Sequence, residues 1–348
     1  MTQPTQSLSE LTTMRVGGTP AQIIVARTRD DLIEETLELW RSGEDWLILG
    51  GGSNLVVADD VANLSVIKVE TKGIQSFKSV DTNKTVLRIQ AGENWDDFVN
   101  HAIELGLAGV EGMAGIPGTV GAGPVQNIGA YGQELSATFL RLEFVDYETH
   151  EIVILEKADL GFGYRDSVIK RGRPGLITWV ELELENFGGL SAPITSGQIA
   201  SAFGAQLGDQ LPLKEVAESV KRMRAGKGML LSQDDPDSVS CGSFFTNPIV
   251  SHTFARTLPE VSPRWETLED DGLTVKLSAA WLIENSGIQK GFSLPGSRAA
   301  ISSKHCLAIT NRGGATASEI VQLANYVQLQ VSNRFGITLV PEPNLVSF

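Results

Sequence analysis

The sequence predicts a mixed α+β protein, and three patterns carry that expectation. Strand-like and helix-like stretches alternate between residues 23 and 49. Period-two alternation runs through 61–90 and returns in three stretches between 141 and 184. A glycine-dense segment studded with apolar residues, 109–132, separates those two strand regions.

Taken in order, the first residues up to Leu11 are polar and are expected to fray. Ile23–Ala26 reads as a strand. Asp30 is the expected cap of a helix whose apolar face carries Leu32, Ile33, Leu37 and Trp40, with Gly43 as its stop. Trp46–Leu49 is a short apolar strand, which makes a parallel pair with the first the simplest arrangement. A second amphipathic helix, WDDFVNHAIELG, turns Trp95, Phe98, Val99, Ala102 and Ile103 inward and ends at Gly106. RLEFVD, EIVIL and ITWVELEL then read as antiparallel strands. The composition shift at 187–194 suggests a domain boundary. Helices are expected near 197–207 and 214–225, followed by a basic turn with Lys221, Arg222, Arg224 and Lys227. Beyond lie an acidic hinge, QDDPDS, a helix with Leu277, Ala280, Trp281 and Ile283, and a buried strand over Cys306–Ile309. A long final helix spans Thr316–Phe335, with Thr316 and Glu319 spaced as a capping box.

Composition narrows the function. Lys and Arg total 28 against 42 Asp and Glu, a net charge of −14, which argues against a duplex nucleic-acid surface. No stretch approaches the ~20 apolar residues of a membrane span, and the N-terminus lacks the pattern of a secretory signal. A cytoplasmic protein is expected. Two cysteines and four scattered histidines give neither a disulfide framework nor a metal motif.

The segment 109–132, GVEGMAGIPGTVGAGPVQNIGAYG, holds eight glycines and two prolines. Glycine lets main-chain N–H groups approach and turn toward a ligand, so this ordered loop suits a large flat or anionic group. A crossover between strands is the plainer reading. Gly50-Gly51-Gly52-Ser53-Asn54-Leu55 follows a strand end directly. It suits phosphate contact or a tight turn, and is neither a Walker motif nor GxGxxG.

Three side chains could do chemistry. Arg165 sits between strands beside Tyr164; it could bind a carboxylate bidentately or simply pair with Asp166. Ser243, between Gly242 and two phenylalanines, could donate a proton or be structural; no GxSxG elbow accompanies it. Glu342 is flanked by prolines that stiffen its backbone, and could equally be solvated.

Together these stretches resemble the UDP-N-acetylenolpyruvoylglucosamine reductases. The likeness covers roughly residues 11–346. It rests on TMRVGG, LGGGSNL, AGIPGTVGAGPVQNIGAYG, YRDSVIK, RAGKGM, GSFFTNP, WLIE with GIQKG, and the closing PEP, in that order. The resemblance implies an FAD-binding domain of the vanillyl-alcohol-oxidase (PCMH) type in two α/β lobes, plus a C-terminal α+β substrate-binding domain. The lobes would be 1–70, joined by the tail 315–348, and 71–192; the substrate domain would be 193–314. FAD would be held non-covalently by Gly50, Gly51, Gly52, Ser53, Asn54, Leu55, Ile116, Gly118, Thr119, Gly123, Asn127 and Ala130.

The implied reaction serves peptidoglycan precursor synthesis. Hydride passes from NADPH through FAD to the terminal vinyl carbon of UDP-N-acetylglucosamine-enolpyruvate. Arg165 and Glu342 would stabilise charge developing on the enolpyruvyl carboxylate, and Ser243 would protonate the adjacent carbon. Tyr164, Lys227 and Asn247 would contact substrate; Lys290 and Glu284 are further candidates. Arg224 is read either as a phosphate ligand or as part of a solvated helix. No metal and no partner beyond these small molecules is implied, and a monomer is expected. One departure stands out: PITSGQIA places Ser196 where some members carry a tyrosine that packs on the diphosphate. Two other classes fit the same fold: an FAD-dependent oxidase passing electrons to oxygen, and a flavin-retaining regulator. The oxidase reading is disfavoured because neither glycine segment carries a His or Cys to tether flavin.

Overall fold

A computed structural model describes residues 6–266 and 272–348. The chain forms two compact units. One comprises Pro20–Gly52 and Ala62–Ala225; the other comprises Ser7–Thr19, Ser53–Val61 and Gly226–Phe348.

The first unit contains a three-stranded parallel sheet in the order Gln22–Ala26, Leu64–Val69, Asp45–Leu49. The two strands expected to pair are therefore separated by a third. Leu64–Val69 takes the central place because Leu64, Ser65, Val66 and Ile67 are all buried, as a parallel strand covered on both faces requires. Helix Arg29–Ser42 is capped by Thr28, whose hydroxyl accepts from the Asp31 N–H at 3.1 Å. The expected cap, Asp30, lies instead in the first turn, where its charge complements the helix dipole. Gly43 closes the helix at φ 74°, as expected.

A five-stranded antiparallel sheet completes this unit, in the order Ile152–Glu156, Phe139–Asp146, Gly175–Glu185, Lys84–Gln90, Ile74–Lys78. Its apolar face buries Leu87, Ile89, Leu142, Phe144, Val180, Leu182 and Leu184 against helix Trp95–Glu104 and its surroundings. Its other face carries a cross-strand row of charge. Glu181 lies opposite both Arg88 and Arg141, and its carboxylate accepts from Arg88 Nε at 2.8 Å and from Arg141 Nε at 2.7 Å. Two guanidinium groups on one buried carboxylate fix the register of three strands. Helix Leu213–Gly226 also belongs to this unit. Lys221, Arg222 and Arg224, expected in a turn, lie on that helix.

The second unit is built around helix Ala317–Phe335. Ile320, Leu323, Ala324, Val327 and Val331 form its buried stripe at helical spacing. Thr316 and Glu319 make the expected capping box. Asp59 adds a second clamp, accepting from the N–H groups of Ala317 at 2.8 Å and Ser318 at 3.2 Å. The residues before Leu11 are ordered rather than frayed from Leu8 onward: Leu8 is fully buried, and its N–H donates to the Gly18 carbonyl at 2.9 Å. Residues 1–5 lie outside the described residues. Strand Leu55–Val57 pairs in parallel with Asn344–Val346. Strand Ile309–Asn311 pairs with Ala299–Ile301. The strand expected over Cys306–Ile309 thus begins only at Ile309, because Cys306–Ala308 form a turn closed by Ala308 N–H to the His305 carbonyl, 3.1 Å. Leu277, expected in a helix, ends strand Thr274–Leu277; helix Ala279–Asn285 starts after its cap Ser278.

The expected acidic hinge is a fixed anchor. Asp235 caps the turn Pro236–Ser238. Asp237 is 3% exposed and accepts from both the N–H and the hydroxyl of Ser303, at 2.8 and 2.5 Å, with Arg312 at 3.4 Å. Burial pushes this carboxyl up, but the Ser303 donors and the Arg312 charge together hold it below the usual carboxylate range. A depressed folded-state pKa gives stability that is present above the unfolded value, about 4, and lost as pH falls through the folded one. Asp237→Asn is therefore expected to lower stability by about 1–3 kcal/mol at pH 7. In urea titrations the gap from wild type should close as the pH approaches about 3.

Candidate active site

In the first unit, the turn Gly50–Gly52 leaves the carboxyl end of strand Asp45–Leu49, the end at which open α/β sheets bind ligands. The turn packs main chain on main chain. A Cβ on Gly51 would lie 2.6 Å from the Gly118 Cα, and one on Gly50 would lie 2.3 Å from the Thr119 hydroxyl. Gly52 at φ 60° and Gly118 at φ 124° occupy the region that favours glycine. The two glycine segments thus form one continuous surface. Among the described residues, no hydrogen bond engages the N–H groups of Gly51, Gly52, Gly118 or Thr119. A side-chain-free surface with unused N–H donors suits a diphosphate and a flat ring, so these residues fit FAD.

The rest of the central loop is held in place from below. Trp95 N–H donates to the Gly118 carbonyl at 3.0 Å, and Val120 N–H to the Glu93 carbonyl at 2.9 Å. Ile116 packs on the core. The Gly123 N–H donates to the Val120 carbonyl, and Gly123 in turn accepts from Ile128. Ala130 pairs with Gln133 in a short hairpin. Asn127, at φ 48° and 1% exposed, donates to Glu134 and the Gly163 carbonyl and accepts from Ser136 N–H. Its side chain shapes the loop, which leaves main chain to meet a ligand.

Arg165 occupies the tight turn closed by mutual hydrogen bonds between Gly163 and Asp166. Its φ of 54° is rare for arginine. The guanidinium donates to the Gly129 carbonyl and stacks 5.3 Å from the Tyr164 ring centroid. Asp166 is bound by Arg171. The reading of Arg165 as a surface partner of Asp166 is thus replaced by contact with the glycine loop.

Arg224 corrects another alternative. It is buried, not solvated, and its Nε donates to the Gly115 carbonyl at 3.1 Å. Burial lowers its pKa, while Tyr131 and Asp96 oppose that shift. The signal was legible: Leu213, Val216, Ala217, Val220 and Arg224 fall on one helical stripe. Ser196, in the place of the family tyrosine, caps helix Gly197–Phe203, and the neighbouring Thr195 hydroxyl donates to the Gly132 carbonyl at 2.8 Å.

In the second unit three motif segments converge. Thr246 N–H donates to the Val340 carbonyl at 3.0 Å, and Glu342 N–H to the Phe244 carbonyl at 2.9 Å. The Asn54 amide donates to the Glu342 carbonyl at 3.3 Å, and Asn344 N–H to the Asn54 carbonyl at 3.0 Å. Ser243 and Glu342 therefore sit on bridged backbones, with Leu55 beginning the adjoining strand. Phe244 and Phe245, each 1% exposed, root this segment in the core edge to face. Ser243 is half-buried beside Gly242, which has φ 73°. Close by, the Cys241 thiol donates to the Leu55 carbonyl at 3.3 Å; burial, with a smaller push from the Glu342 charge, raises its pKa to about 12. Ser53 accepts from the Thr13 hydroxyl at 3.5 Å through its carbonyl.

Asn247 accepts from Ala279 N–H at 3.0 Å, bracing the start of helix Ala279–Asn285. Lys227 and Lys290 both bear on His305. Burial first, then these two charges, lowers the imidazole pKa to about 4, against a smaller pull from Glu284. Glu284 accepts from the Cys306 thiol at 3.0 Å. Lys227 and Lys290 thus supply positive charge around a neutral histidine, which suits an anionic ligand.

Residues 20–156 match the FAD-binding domain family, and residues 234–346 match the C-terminal domain of UDP-N-acetylenolpyruvoylglucosamine reductase. The chain is thus a flavoprotein that joins an FAD-binding domain of the PCMH/VAO type to a reductase C-terminal domain. It is 48% identical to the UDP-N-acetylenolpyruvoylglucosamine reductase of Leifsonia xyli, covering 99% of each chain, and 42% identical to that of Thermobifida fusca, covering 97% and 96%. The crystal structure of the reductase from Thermus caldophilus shares the fold, with TM-score 0.66 and 24% identity over 99% of this chain and 100% of that one. The chain belongs to the UDP-N-acetylenolpyruvoylglucosamine reductase family.

Proposed function

We propose that Arg165, Ser243 and Glu342 carry the chemistry of a UDP-N-acetylmuramate dehydrogenase, the activity that family membership gives this chain. The reaction reduces the enolpyruvyl ether of a UDP-sugar to a lactyl ether, a step in peptidoglycan precursor synthesis. Bound FAD supplies hydride transfer from NADPH to the enolpyruvyl group. Gly50, Gly51, Gly52, Gly118 and Thr119 would hold it through main chain.

Adding hydride to the vinyl carbon leaves electron density on the adjacent carbon and its carboxylate. Arg165 can grip that carboxylate at two oxygens through the planar fork of its guanidinium. A protonated Glu342, with its backbone fixed between prolines, would donate a hydrogen bond that orients the same group. Ser243 then gives its Oγ proton to the carbon, forming the C–H bond, and regains one from water. Serine is a weak acid in water, yet its proton passes readily to a carbanion-like centre in a water-poor pocket. Tyr164 stacks on Arg165 and limits its motion; Lys227, with Lys290, meets the diphosphate, and Asn247 faces the same region.

The observation that supports this reading is the backbone pairing of Phe244 with Glu342 and of Phe245 with Pro341, which holds side by side the two segments that carry Ser243 and Glu342. The purified protein is expected to be yellow and to bleach on adding NADPH. Steady NADPH consumption should then require UDP-N-acetylglucosamine-enolpyruvate; consumption driven by oxygen alone would support an oxidase instead. No helix among the described residues is long and apolar enough to cross a membrane. A cytoplasmic monomer accords with this reading.

A further inference from the structure

Lys68 lies on the central parallel strand, in register with Leu49 just before the Gly50–Gly52 turn. It is half-buried, and its ammonium donates to the Gly50 carbonyl. Among the described residues it makes no ion pair; Glu70, on the same face of the strand, pairs with Arg27 at 3.3 Å. Burial lowers the Lys68 pKa against a smaller pull from Glu70. The protein therefore keeps a partly desolvated cation under this turn without a carboxylate to offset it, an arrangement that costs stability.

The trans peptide supplies a reason. Within one peptide plane the C=O and N–H point in opposite directions. With the Gly50 carbonyl drawn to Lys68, the Gly51 N–H must face the other way, and with those of Gly52, Gly118 and Thr119 it is engaged by no hydrogen bond among the described residues. Gly51 cannot be fixed by a side chain of its own, because a Cβ there would strike the Gly118 Cα.

We propose that Lys68 is the positioning residue of the cofactor's diphosphate seat, orienting and polarising the Gly50–Gly51 peptide so that its N–H meets the anion. This rests on the assignment of FAD to the two glycine segments. The uncompensated cation is then offset when the anion binds.

The test uses the full chain stripped of flavin, titrated with FAD and separately with riboflavin, which lacks the phosphates. Lys68→Met should weaken FAD binding about 10–100-fold, the range of one charge-assisted hydrogen bond. Riboflavin affinity should be unchanged, and Lys68→Arg should restore most of the FAD affinity. Thermal unfolding of flavin-free Lys68→Met should match or exceed wild type, since a buried charge has been removed. Unchanged FAD affinity would overturn the proposal. So would an equal loss for riboflavin, or a lower unfolding temperature of the flavin-free variant accompanied by the FAD loss, which would mark a purely structural pin. Failure of the wild-type chain to bind FAD would instead overturn the cofactor assignment.

Discussion

Replacing Ser243 by alanine is expected to lower turnover about 10²–10⁴-fold, the range supplied by a positioned general acid. The loss should fall on one half of the reaction. Hydride transfer from NADPH to the flavin needs no proton from this hydroxyl, so rapid-mixing traces of flavin bleaching should match wild type. Reoxidation of the reduced enzyme by UDP-N-acetylglucosamine-enolpyruvate should be slow. The fold gives reason to expect this separation. Phe244 and Phe245 root the segment, and the Glu342–Phe244 and Thr246–Val340 hydrogen bonds run through backbone. Removing one oxygen from half-buried Ser243 leaves those supports intact, so stability should change by less than about 1 kcal/mol. Cys241, two residues away, cannot substitute as the acid: its thiol is buried and bound to the Leu55 carbonyl. Traces in which both halves slow equally would place Ser243 in scaffold rather than chemistry.

Much of this architecture is legible locally. Helix Ala317–Phe335 could be read because its cap, its box residue and its apolar stripe are all nearest-neighbour features. The main-chain surface formed by Gly50–Gly52 and Gly118 follows the same rule, since glycine density signals close approach whatever approaches. What escaped the sequence depends on pairing between distant segments. The Asp235–Asp237 stretch reads as solvated hinge until Ser303 and Arg312 arrive to satisfy it. The order of the parallel sheet is likewise invisible in 23–49, because the strand that separates the two begins at Leu64. Lys68 gains significance only through that register. Arg224 is the intermediate case: its place on the apolar stripe was readable, but charge alone suggests solvent.

Arg165 carries the other large effect. Arg165→Met is expected to lower kcat about 10²–10³-fold, the scale of removing one donor aimed at developing charge. Arg165→Lys separates charge from shape. Lysine keeps the cation but loses the planar fork, and its flexible stem cannot reproduce both the Gly129 contact and the stacking on Tyr164. Most of the loss should therefore persist in the lysine variant, at about 10²-fold or more. Both variants inherit a backbone φ of 54°, which no side chain here relieves, so their stabilities should fall together if at all. Flavin affinity provides the control. The Gly50–Gly52 turn is seated by Lys68 and Gly118 rather than by Arg165, so FAD binding should be near wild type in both variants. A lysine variant with near-wild-type kcat would show that charge alone suffices and that the fork geometry at Arg165 has no part in the reaction.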